Sequence, residues 1–541
     1  MSDTRLPAWV RDLCDPRAYA HRPDSVELVQ THISYVFLAG ELVYKAKKPV
    51  DFGFIEQLSL RRREHFCREE VRINERLAPG VYRGVVPIVR IPGGRHVVDP
   101  PAHGLSARTG TVVEWAVEME RLPDERTLAR LLEAGSADPA TPELLARTLL
   151  GFHRAAAQAP GGADFAGARA ERSWWERERD EALPNIGGTW DPDDASETMG
   201  FIDEALRREA VLFDERAVSG RVVEGHGDLQ ARHIYLLPDA SGGAPRVLAV
   251  DGIEFNEGYR FRYVDVGYDI AFTAMDLESL GHGALGDELV GRYIAGSADE
   301  ALGVLQPLHR CQRAFIRGKV ESLGARAEEI PPADRERLRA SAARYFALSA
   351  ACARRRAPKA LILVCGLPGT GKSVLAGTVA GRLGCAYLSS DAIRRGLASL
   401  DASPSGRAGT ALYGREMTER TYGELRRRAA AHLRAGRAVV VDATHASSAH
   451  RAEARRAAAA ASAPALTVEL RLSERAALDR IASGRADPLR LSDADEAVYR
   501  LQRDRFEPLG ADEGPLLGLD AGGAPGALAS RVAEAIAAAR L

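Results

Sequence analysis

The residues best suited to chemistry, by type and spacing, form a glycine-rich stretch that ends in lysine and serine. The stretch fits the pattern GxxxxGK followed by Ser or Thr, and it lies between an apolar strand pattern at 360–365 and a helical pattern at 374–383. In such a loop backbone N–H groups surround a β-phosphate, the lysine reaches the β and γ oxygens, and the hydroxyl ligates magnesium. The alternative, a strand-to-helix turn that binds nothing, fits the flanking patterns less well. The predicted nucleotide-binding residues are Gly366, Leu367, Pro368, Gly369, Thr370, Gly371, Lys372 and Ser373, with Lys372 also catalytic and Ser373 also a metal ligand.

Carboxylates and arginines in the same half complete a candidate site for phosphoryl transfer. Asp442 ends an apolar strand pattern and is predicted to orient the magnesium shell, with a helix N-cap as the alternative. Asp391 follows another strand pattern and is predicted to accept the proton of an attacking hydroxyl, while Arg394 holds an anionic substrate. Arg480 and Arg485 are predicted to fold over the transferred group as a lid, with a solvated surface as the alternative.

A second candidate site lies in the first half of the chain. The stretch 223–236 contains His226, Gly227 and Asp228, and a strand pattern that ends in Asp251 follows it. Eukaryotic-type kinases hold a base and a metal with a His-x-Asp loop followed by a strand that ends in Asp. A buried, hydrogen-bonded turn is the alternative.

Lysine is rare in this chain, since only six of the 73 basic residues are lysines. Lys45 and Lys47 share one face of a strand pattern, because side chains alternate along a strand. One of the two is predicted to bind phosphate, paired with a carboxylate of the helical pattern at 59–77, where Glu70 is preferred to Glu69. The alternative is a solvated basic edge, and the sequence leaves open which lysine meets the phosphate.

The patterns around these residues predict two domains. In the first half strand patterns precede a long helical region, which a strand-rich island at 222–255 interrupts. After the Pro-containing stretch 354–358, strand and helix patterns alternate, which predicts parallel βαβ units. We therefore expect an α+β domain with two lobes, followed by an α/β domain with a parallel sheet. The predicted bounds are 1–350, with a β-rich lobe at about 25–122 and a helical lobe at about 123–350, and then 358–541.

Composition limits the classes of protein that this chain can represent. Its 541 residues exceed one typical domain, and 45% hydrophobic with 27% charged residues is ordinary globular usage. There is no apolar run of about 18 residues and no hydrophobic N-terminal segment, so we expect a cytoplasmic protein without membrane contact. Six cysteines without a CxxC pair predict neither disulfides nor a zinc site. Residues 351–541 carry 29 basic against 20 acidic residues, a balance of +9, which leaves −11 for the remainder.

The second half resembles small P-loop kinases such as gluconate kinase, chloramphenicol phosphotransferase and the kinase domain of polynucleotide kinase. The resemblance covers about 358–541 and rests on the glycine-rich loop, Asp391, Asp442 and the candidate lid arginines. It implies transfer of a phosphoryl group from ATP to a hydroxyl, with magnesium as cofactor. It does not identify the hydroxyl.

The first half resembles aminoglycoside phosphotransferases and choline-type kinases, whose motif reads HGDxxxxN followed by a metal-binding Asp. This resemblance implies a protein-kinase-like bilobal fold. It also implies that Asp228 is the catalytic base, that His226 structures the loop and that Asp251 ligates magnesium. His233 occupies the position where the family has Asn, and an imidazole replaces a hard oxygen ligand poorly. Either His233 is structural, or it belongs to a site that binds metal weakly.

The order of the two patterns is similar to that in bacterial proteins that fuse an aminoglycoside-phosphotransferase-like domain to a C-terminal AAA-type P-loop domain. The leading hypothesis is an ATP- and magnesium-dependent phosphotransferase that acts on a small-molecule hydroxyl, with its best-supported site in 358–541. A second hypothesis adds a kinase site in the first domain. One alternative is a nucleotide-dependent switch whose first domain recognises a ligand without chemistry. A nucleic-acid-end kinase is less favoured, because the basic excess lies in Ala-rich helices without interleaved aromatics.

Overall fold

The chain folds into two compact units, which a computed structural model describes over residues 6–53, 55–98, 110–239, 242–327, 330–355, 357–401, 414–484, 494–510 and 513–538. Each unit gathers segments that are distant in sequence. The first unit consists of Met1–Asp138, Ala155–Gly161 and Gly220–Asp269. The second unit consists of Pro139–Arg154, Gly162–Ser219 and Ile270–Leu541.

A six-stranded antiparallel sheet forms the centre of the first unit, with the strand order β1-β2-β3-β6-β4-β5. Strands two and three form a hairpin, which turns at Gly40 with a φ of 66°, a conformation that favours glycine. Alternate side chains such as Phe37, Ala46 and Ala116 are buried beneath the sheet. The strands are β1 (Val26–Gln30), β2 (Ser34–Ala39), β3 (Leu42–Lys47), β4 (Tyr82–Arg90), β5 (His96–Val98) and β6 (Thr111–Glu120).

Short elements complete the first unit and carry the second candidate site. A helix over Leu60–Asn74 packs against β4 and β6, and the side chain of Ser59 caps its first turn by accepting from the Arg62 N–H. Two antiparallel strand pairs, β7 with β10 and β8 with β9, bring the 226–233 loop beside the end of β9. These elements are α1 (Ala8–Leu13), α2 (Leu60–Asn74), α3 (Leu128–Glu133), β7 (Val222–Glu224), β8 (Ile234–Leu237), β9 (Arg246–Ala249) and β10 (Tyr263–Asp265).

The second unit begins with helices packed around an aromatic core. The rings of Trp190 and Phe346 stack at 4.7 Å, and Trp175 meets Phe315 edge-on at 5.0 Å. Both Trp174 and Trp175 are buried. The helices are α4 (Thr141–Ala155), α5 (Gly162–Ala166), α6 (Ala168–Ala182), α7 (Pro192–Arg208), α8 (Ala210–Val218), α9 (Val266–Ser279), α10 (Gly283–Ser297), α11 (Leu302–Arg326) and α12 (Pro332–Arg354).

A five-stranded parallel sheet follows in the same unit, with the order β12-β13-β11-β14-β15 and helices between the strands. The expected succession, an antiparallel α+β part and then a parallel α/β part, is confirmed. No helix among the described residues is long and apolar enough to cross a membrane. The elements are β11 (Leu361–Cys365), α13 (Lys372–Leu383), β12 (Ala386–Ser389), α14 (Ser390–Asp401), α15 (Arg415–Arg434), β13 (Val439–Asp442), α16 (Ser448–Ala460), β14 (Ala465–Arg471), α17 (Glu474–Ser483), α18 (Glu496–Asp504), β15 (Leu516–Asp520) and α19 (Pro525–Ala538).

Helices α10 and α13 pack with their backbones in contact. A Cβ atom added at Gly377 would lie 2.2 Å from the carbonyl oxygen of Gly291, and one added at Gly291 would lie 2.5 Å from the Cα of Thr378. Gly381 faces Val290 in the same way, with 2.6 Å between the added Cβ and Val290 Cγ1. We call this contact the glycine seam. The seam fixes the helix that begins at the glycine-rich loop against the helical part of the second unit.

We expect Gly377→Ala to lower the free energy of unfolding by about 3 kcal/mol, because the new methyl group would overlap a backbone carbonyl. Gly423→Ala is the matched control. It also lies inside a helix, but only the tip of Arg426 is near, so we expect a gain of up to about 1 kcal/mol. Urea unfolding followed by circular dichroism measures both, and equal stability of the two variants would contradict the prediction.

Candidate active site

The parallel sheet brings the predicted residues of the second half to one edge. Strands β11, β12 and β13 are neighbours, and Asp442 is level with Val364 on one side and with Ser389 on the other. The glycine-rich loop leaves β11, Asp391 stands in the first turn after β12, and Asp442 ends β13. Three chain segments that are distant in sequence therefore place their functional side chains together.

The glycine-rich loop has the backbone shape that a phosphate requires. Gly366, Gly369 and Gly371 have φ values of 147°, 77° and 90°, which glycine adopts without strain. Lys372 is the first residue of α13, and its Nζ donates to the carbonyl of Leu367 at 2.9 Å. Burial lowers the pKa of Lys372, although Asp442 and Asp391 act in the opposite direction. The lysine thus lies folded over the loop beside the N-terminal end of α13.

The side chains predicted to hold magnesium form a group of oxygen atoms in which Asp442 is buried and Ser373 is partly buried. Asp442 Oδ2 accepts a hydrogen bond of 2.9 Å from the Tyr387 hydroxyl, and the Ser373 hydroxyl lies close to both of these side chains. Burial raises the pKa of Asp442, and Lys372 opposes that rise. A serine hydroxyl and a carboxylate are hard oxygen donors, so this group fits magnesium. Sequence reasoning missed Tyr387, because a tyrosine within a buried strand pattern reads as a core residue.

Asp391 and Arg394 form an ion pair one helical turn apart, whereas the sequence predicted that Arg394 holds an anionic substrate. Arg394 Nη1 lies 2.8 Å from Asp391 Oδ1, and the arginine is buried while the carboxylate is partly exposed at the sheet edge. The guanidinium therefore fixes one carboxylate oxygen and leaves the other open to a substrate. The role of Asp391 as a base stays a prediction.

Arg480 contacts the loop itself. Its Nη1 donates to the carbonyl of Thr370 at 3.4 Å and its Nη2 to that of Ala521 at 3.2 Å. Helix α17 approaches so closely that a Cβ on Gly369 would lie 2.4 Å from the carbonyl oxygen of Ala477. Arg480 thus braces the loop backbone, and its predicted action on the transferred group stays a prediction. Arg485 lies outside the described residues.

The second candidate site, in the first unit, contains a cluster of buried charges. Lys45 Nζ lies 2.8 Å from Glu70 and 2.7 Å from Asp251, while Lys47 Nζ lies 2.8 Å from Glu70 and also contacts Glu254. Glu70, the residue that the sequence favours over Glu69, is the carboxylate between the two lysines. The Lys47 side chain is 1% exposed and that of Lys45 is 15% exposed. Lys45 is therefore the lysine that a ligand can reach.

The carboxylate of Asp269 holds the backbone of the His-x-Asp loop in place. Asp269 accepts from the backbone N–H groups of His226 and Gly227 at 2.8 and 2.9 Å. Burial lowers the pKa of His226 to about 4, so the ring is neutral. Its Nε2 then donates to the carbonyl of Val250 at 3.0 Å, and its Nδ1 accepts from the Asp228 N–H at 3.2 Å. His226 is a structural residue of this loop, as the family resemblance implied.

His233 lies between the two aspartates of this site. Its Nδ1 is 3.1 Å from the backbone carbonyl of Asp228 and 3.4 Å from that carboxylate, and its Nε2 is 4.0 Å from Asp251. Burial acts to raise the pKa of Asp251, but Lys45 and His233 hold it below its usual range. In the described residues no three His, Cys, Asp or Glu side chains gather as a metal site. One paired carboxylate and an imidazole do not fit a magnesium shell, so the catalytic role of Asp228 stays a prediction.

Comparisons with known proteins agree with the site in the second unit. Residues 361–509 match a protein family model described as an AAA domain, and this match covers the loop, Asp391, Asp442 and Arg480. The parallel sheet and the glycine-rich loop together define a P-loop nucleotide-binding domain.

Two mycobacterial proteins match most of the chain. Over 435 residues this chain is 32% identical to the uncharacterized protein Rv2004c of Mycobacterium tuberculosis and to the uncharacterized protein Mb2027c of Mycobacterium bovis. Each match covers 80% of this chain and 80% of the relative. The chain belongs to the family of these mycobacterial proteins.

Two solved structures resemble parts of the chain. A choline/ethanolamine kinase family protein from Mesorhizobium loti is 13% identical and has a TM-score of 0.37, with 64% of this chain and 98% of that one covered. A gluconokinase from Sinorhizobium meliloti is 19% identical and has a TM-score of 0.24, with 33% of this chain and 96% of that one covered.

We expect Lys47→Met to lower the free energy of unfolding of the first unit by about 3–5 kcal/mol, since it leaves Glu254 buried without its partner. Lys45→Met is the matched control. It should cost clearly less, because Glu70 keeps Lys47 and the Asp251 side chain is partly exposed. Chemical denaturation measures both variants, and a larger loss in Lys45→Met would contradict this assignment.

The low pKa of His226 predicts that the first unit loses stability in acid. The unfolded ring takes up a proton near pH 6.5 and the folded ring only near pH 4. Between these values, each unit by which the pH falls therefore lowers the free energy of unfolding by about 1.4 kcal/mol. We expect His226→Gln to be less stable at pH 7 but to lose about 2 kcal/mol less than the wild type between pH 7 and pH 5. Urea unfolding at both pH values measures this, and parallel losses would refute it.

Proposed function

We propose that the protein transfers the γ-phosphoryl group of ATP to a hydroxyl group of a small molecule, at the sheet edge formed by the glycine-rich loop, Asp391 and Asp442. One observation carries this proposal. A partly exposed carboxylate, Asp391, follows the strand next to the one that ends in the buried Asp442, and Ser373 and the ammonium of Lys372 lie close to Asp442. A base, a cation and a metal-binding pair at one edge are the parts that phosphoryl transfer needs.

The side chains divide the work as follows. The loop N–H groups and Lys372 hold the β and γ phosphates, and Arg480 keeps the loop in shape through Thr370. Magnesium, when bound at Ser373 and Asp442, offsets phosphate charge. One carboxylate oxygen of Asp391 accepts the hydroxyl proton of the substrate, while Arg394 donates a hydrogen bond to the other oxygen of Asp391.

The bond changes balance within this arrangement. The substrate oxygen forms a bond to the γ-phosphorus, the bond from the γ-phosphorus to the β–γ bridging oxygen breaks, and ADP leaves with that oxygen. The proton of the substrate hydroxyl passes to Asp391. ATP and the hydroxyl compound are therefore the only reactants that the bond changes require.

A second candidate function concerns the first unit, which would recognise a ligand and transfer no phosphoryl group. The observation that favours it is that Asp251 is paired with Lys45 and that His233 stands in the position of a metal ligand. In that case ATP chemistry belongs to the second unit alone. A small-molecule acceptor and a cytoplasmic location remain expectations from the sequence.

The test is magnesium-dependent ATP turnover and phosphate transfer across a panel of small hydroxyl compounds and nucleic acid ends. We expect Lys372→Ala to reduce transfer about 10²–10³-fold, because it removes the cation at the transferred phosphate. Absence of magnesium-dependent ATP binding in the wild type would refute the proposal.

Asp228→Asn in the same panel separates the two functions. If the first unit only recognises a ligand, this variant keeps the wild-type rate of transfer. If a second set of substrates loses transfer in Asp228→Asn and keeps it in Lys372→Ala, the first unit is a kinase in its own right. Transfer confined to nucleic acid ends, falling steeply with salt, would replace the small-molecule acceptor.

A further inference from the structure

Tyr387 lies beside Ser373 and Asp442, the two side chains predicted to hold magnesium, but it does not belong to the phosphate-loop pattern. It lies in β12, its ring is buried, and its hydroxyl donates to Asp442 Oδ2 at 2.9 Å. The hydroxyls of Ser373 and Ser389 lie close to the phenol. An ionised carboxylate offers about four acceptor sites on its two oxygens, and the Tyr387 hydroxyl occupies one of them. This bond fixes how the carboxylate of Asp442 is turned and leaves acceptor sites for a metal ion or its water.

The backbone of Tyr387 is fixed from outside the sheet. Strand β12 is the edge strand of the parallel sheet, and it pairs with β13 on its inner side, where Tyr387 is level with Val440. On its outer side the Tyr387 N–H donates to the carbonyl of Glu300 at 3.1 Å. Glu300 lies between α10 and α11, in the helical part of the same unit. The edge strand thus has a partner on both sides at this residue.

Ion pairs hold Glu300 in place. Its carboxylate lies 2.6 Å from His432 Nε2 and 3.0 Å from Arg428 Nη1, both on α15. The preceding Asp299 is buried and pairs with Arg216 at 2.7 Å. Two adjacent carboxylates therefore tie this connection to two different helices, and the carbonyl that receives the Tyr387 N–H has a fixed position.

We propose that Tyr387 is a positioning residue for magnesium: its hydroxyl orients the carboxylate of Asp442, and Glu300 holds the strand that carries it. This inference rests on the proposed function of the same site. It makes the helical part of the second unit a contributor to metal binding through one hydrogen bond to the edge strand. The family pattern alone assigns the metal to Ser373 and Asp442.

Tyr387→Phe in the full-length protein tests the proposal, because it removes the hydroxyl and keeps the ring. Isothermal titration calorimetry gives the affinity for ATP in EDTA and at increasing magnesium, without any acceptor. We expect the affinity in EDTA to stay within about twofold, while the magnesium concentration that half-restores tight binding rises about tenfold, as loss of a hydrogen bond to a charged group predicts. In an Asp442→Asn background the same change should add nothing further.

Tyr345→Phe is the matched control, since it removes a tyrosine hydroxyl that donates to a carboxylate, Asp276, at 3.3 Å and away from the phosphate loop. We expect it to leave the magnesium requirement unchanged. An unchanged magnesium requirement in Tyr387→Phe overturns the inference and leaves the proposed function intact. A wild type that binds no ATP overturns both.

Glu300→Ala tests the anchor without altering the buried ring, and it decides the matter if Tyr387→Phe does not fold. We expect a shift of the magnesium requirement in the same direction, by about threefold. The backbone carbonyl of residue 300 that accepts from the Tyr387 N–H stays, but the ion pairs to Arg428 and His432 no longer fix its position. Glu424→Ala is its control, as it also removes a carboxylate from Arg428 but does not touch β12. Equal magnesium requirements in Glu300→Ala and Glu424→Ala overturn the anchoring role.

Discussion

The backbone contact between α10 and α13 is the constraint on which the candidate active site depends. At the glycine seam neither Gly291 nor Gly377 has room for a Cβ atom, so the two helices have one available separation. Helix α13 begins at Lys372, and β11 supplies the start of the glycine-rich loop from the other side. The loop therefore connects β11 to α13, and both of these elements have fixed positions. A phosphate site needs such rigidity, because backbone N–H groups can bind only where they already point.

The two candidate sites use buried lysines in opposite ways. Although burial disfavours the charged forms of Lys45 and Lys47, their carboxylate neighbours raise both pKa values above the usual range. Lys372 has the reverse balance, since burial lowers its pKa and the nearby carboxylates do not restore it. A lysine that is short of negative charge gains most from an arriving phosphate. This difference separates a site that is ready for a nucleotide from one whose charges already satisfy one another.

Much of this arrangement could be predicted from the sequence, because apolar strand patterns and glycine spacing act locally. The strands that lead to the loop, to Asp391 and to Asp442 were predicted within a residue or two. Strands β1 and β15 were not, since β1 is largely exposed and β15 is interrupted by Gly518. Tyr387 and the glycine seam were missed for a different reason. Their roles come from partners that are distant in sequence, which no local pattern records.

The way the chain is divided between the units has a consequence for its synthesis. The second unit needs residues 139–219 as well as 270–541, so helices made early cannot complete their packing until α13 has left the ribosome. Synthesis at roughly 5–20 residues per second makes that an interval of many seconds. From the time they are made until α13 emerges, Gly291 and Gly303 lack the close backbone contacts that they make with residues 378–385. A nascent chain in this state is a natural client for chaperones, whereas the first unit is complete once residue 269 has emerged.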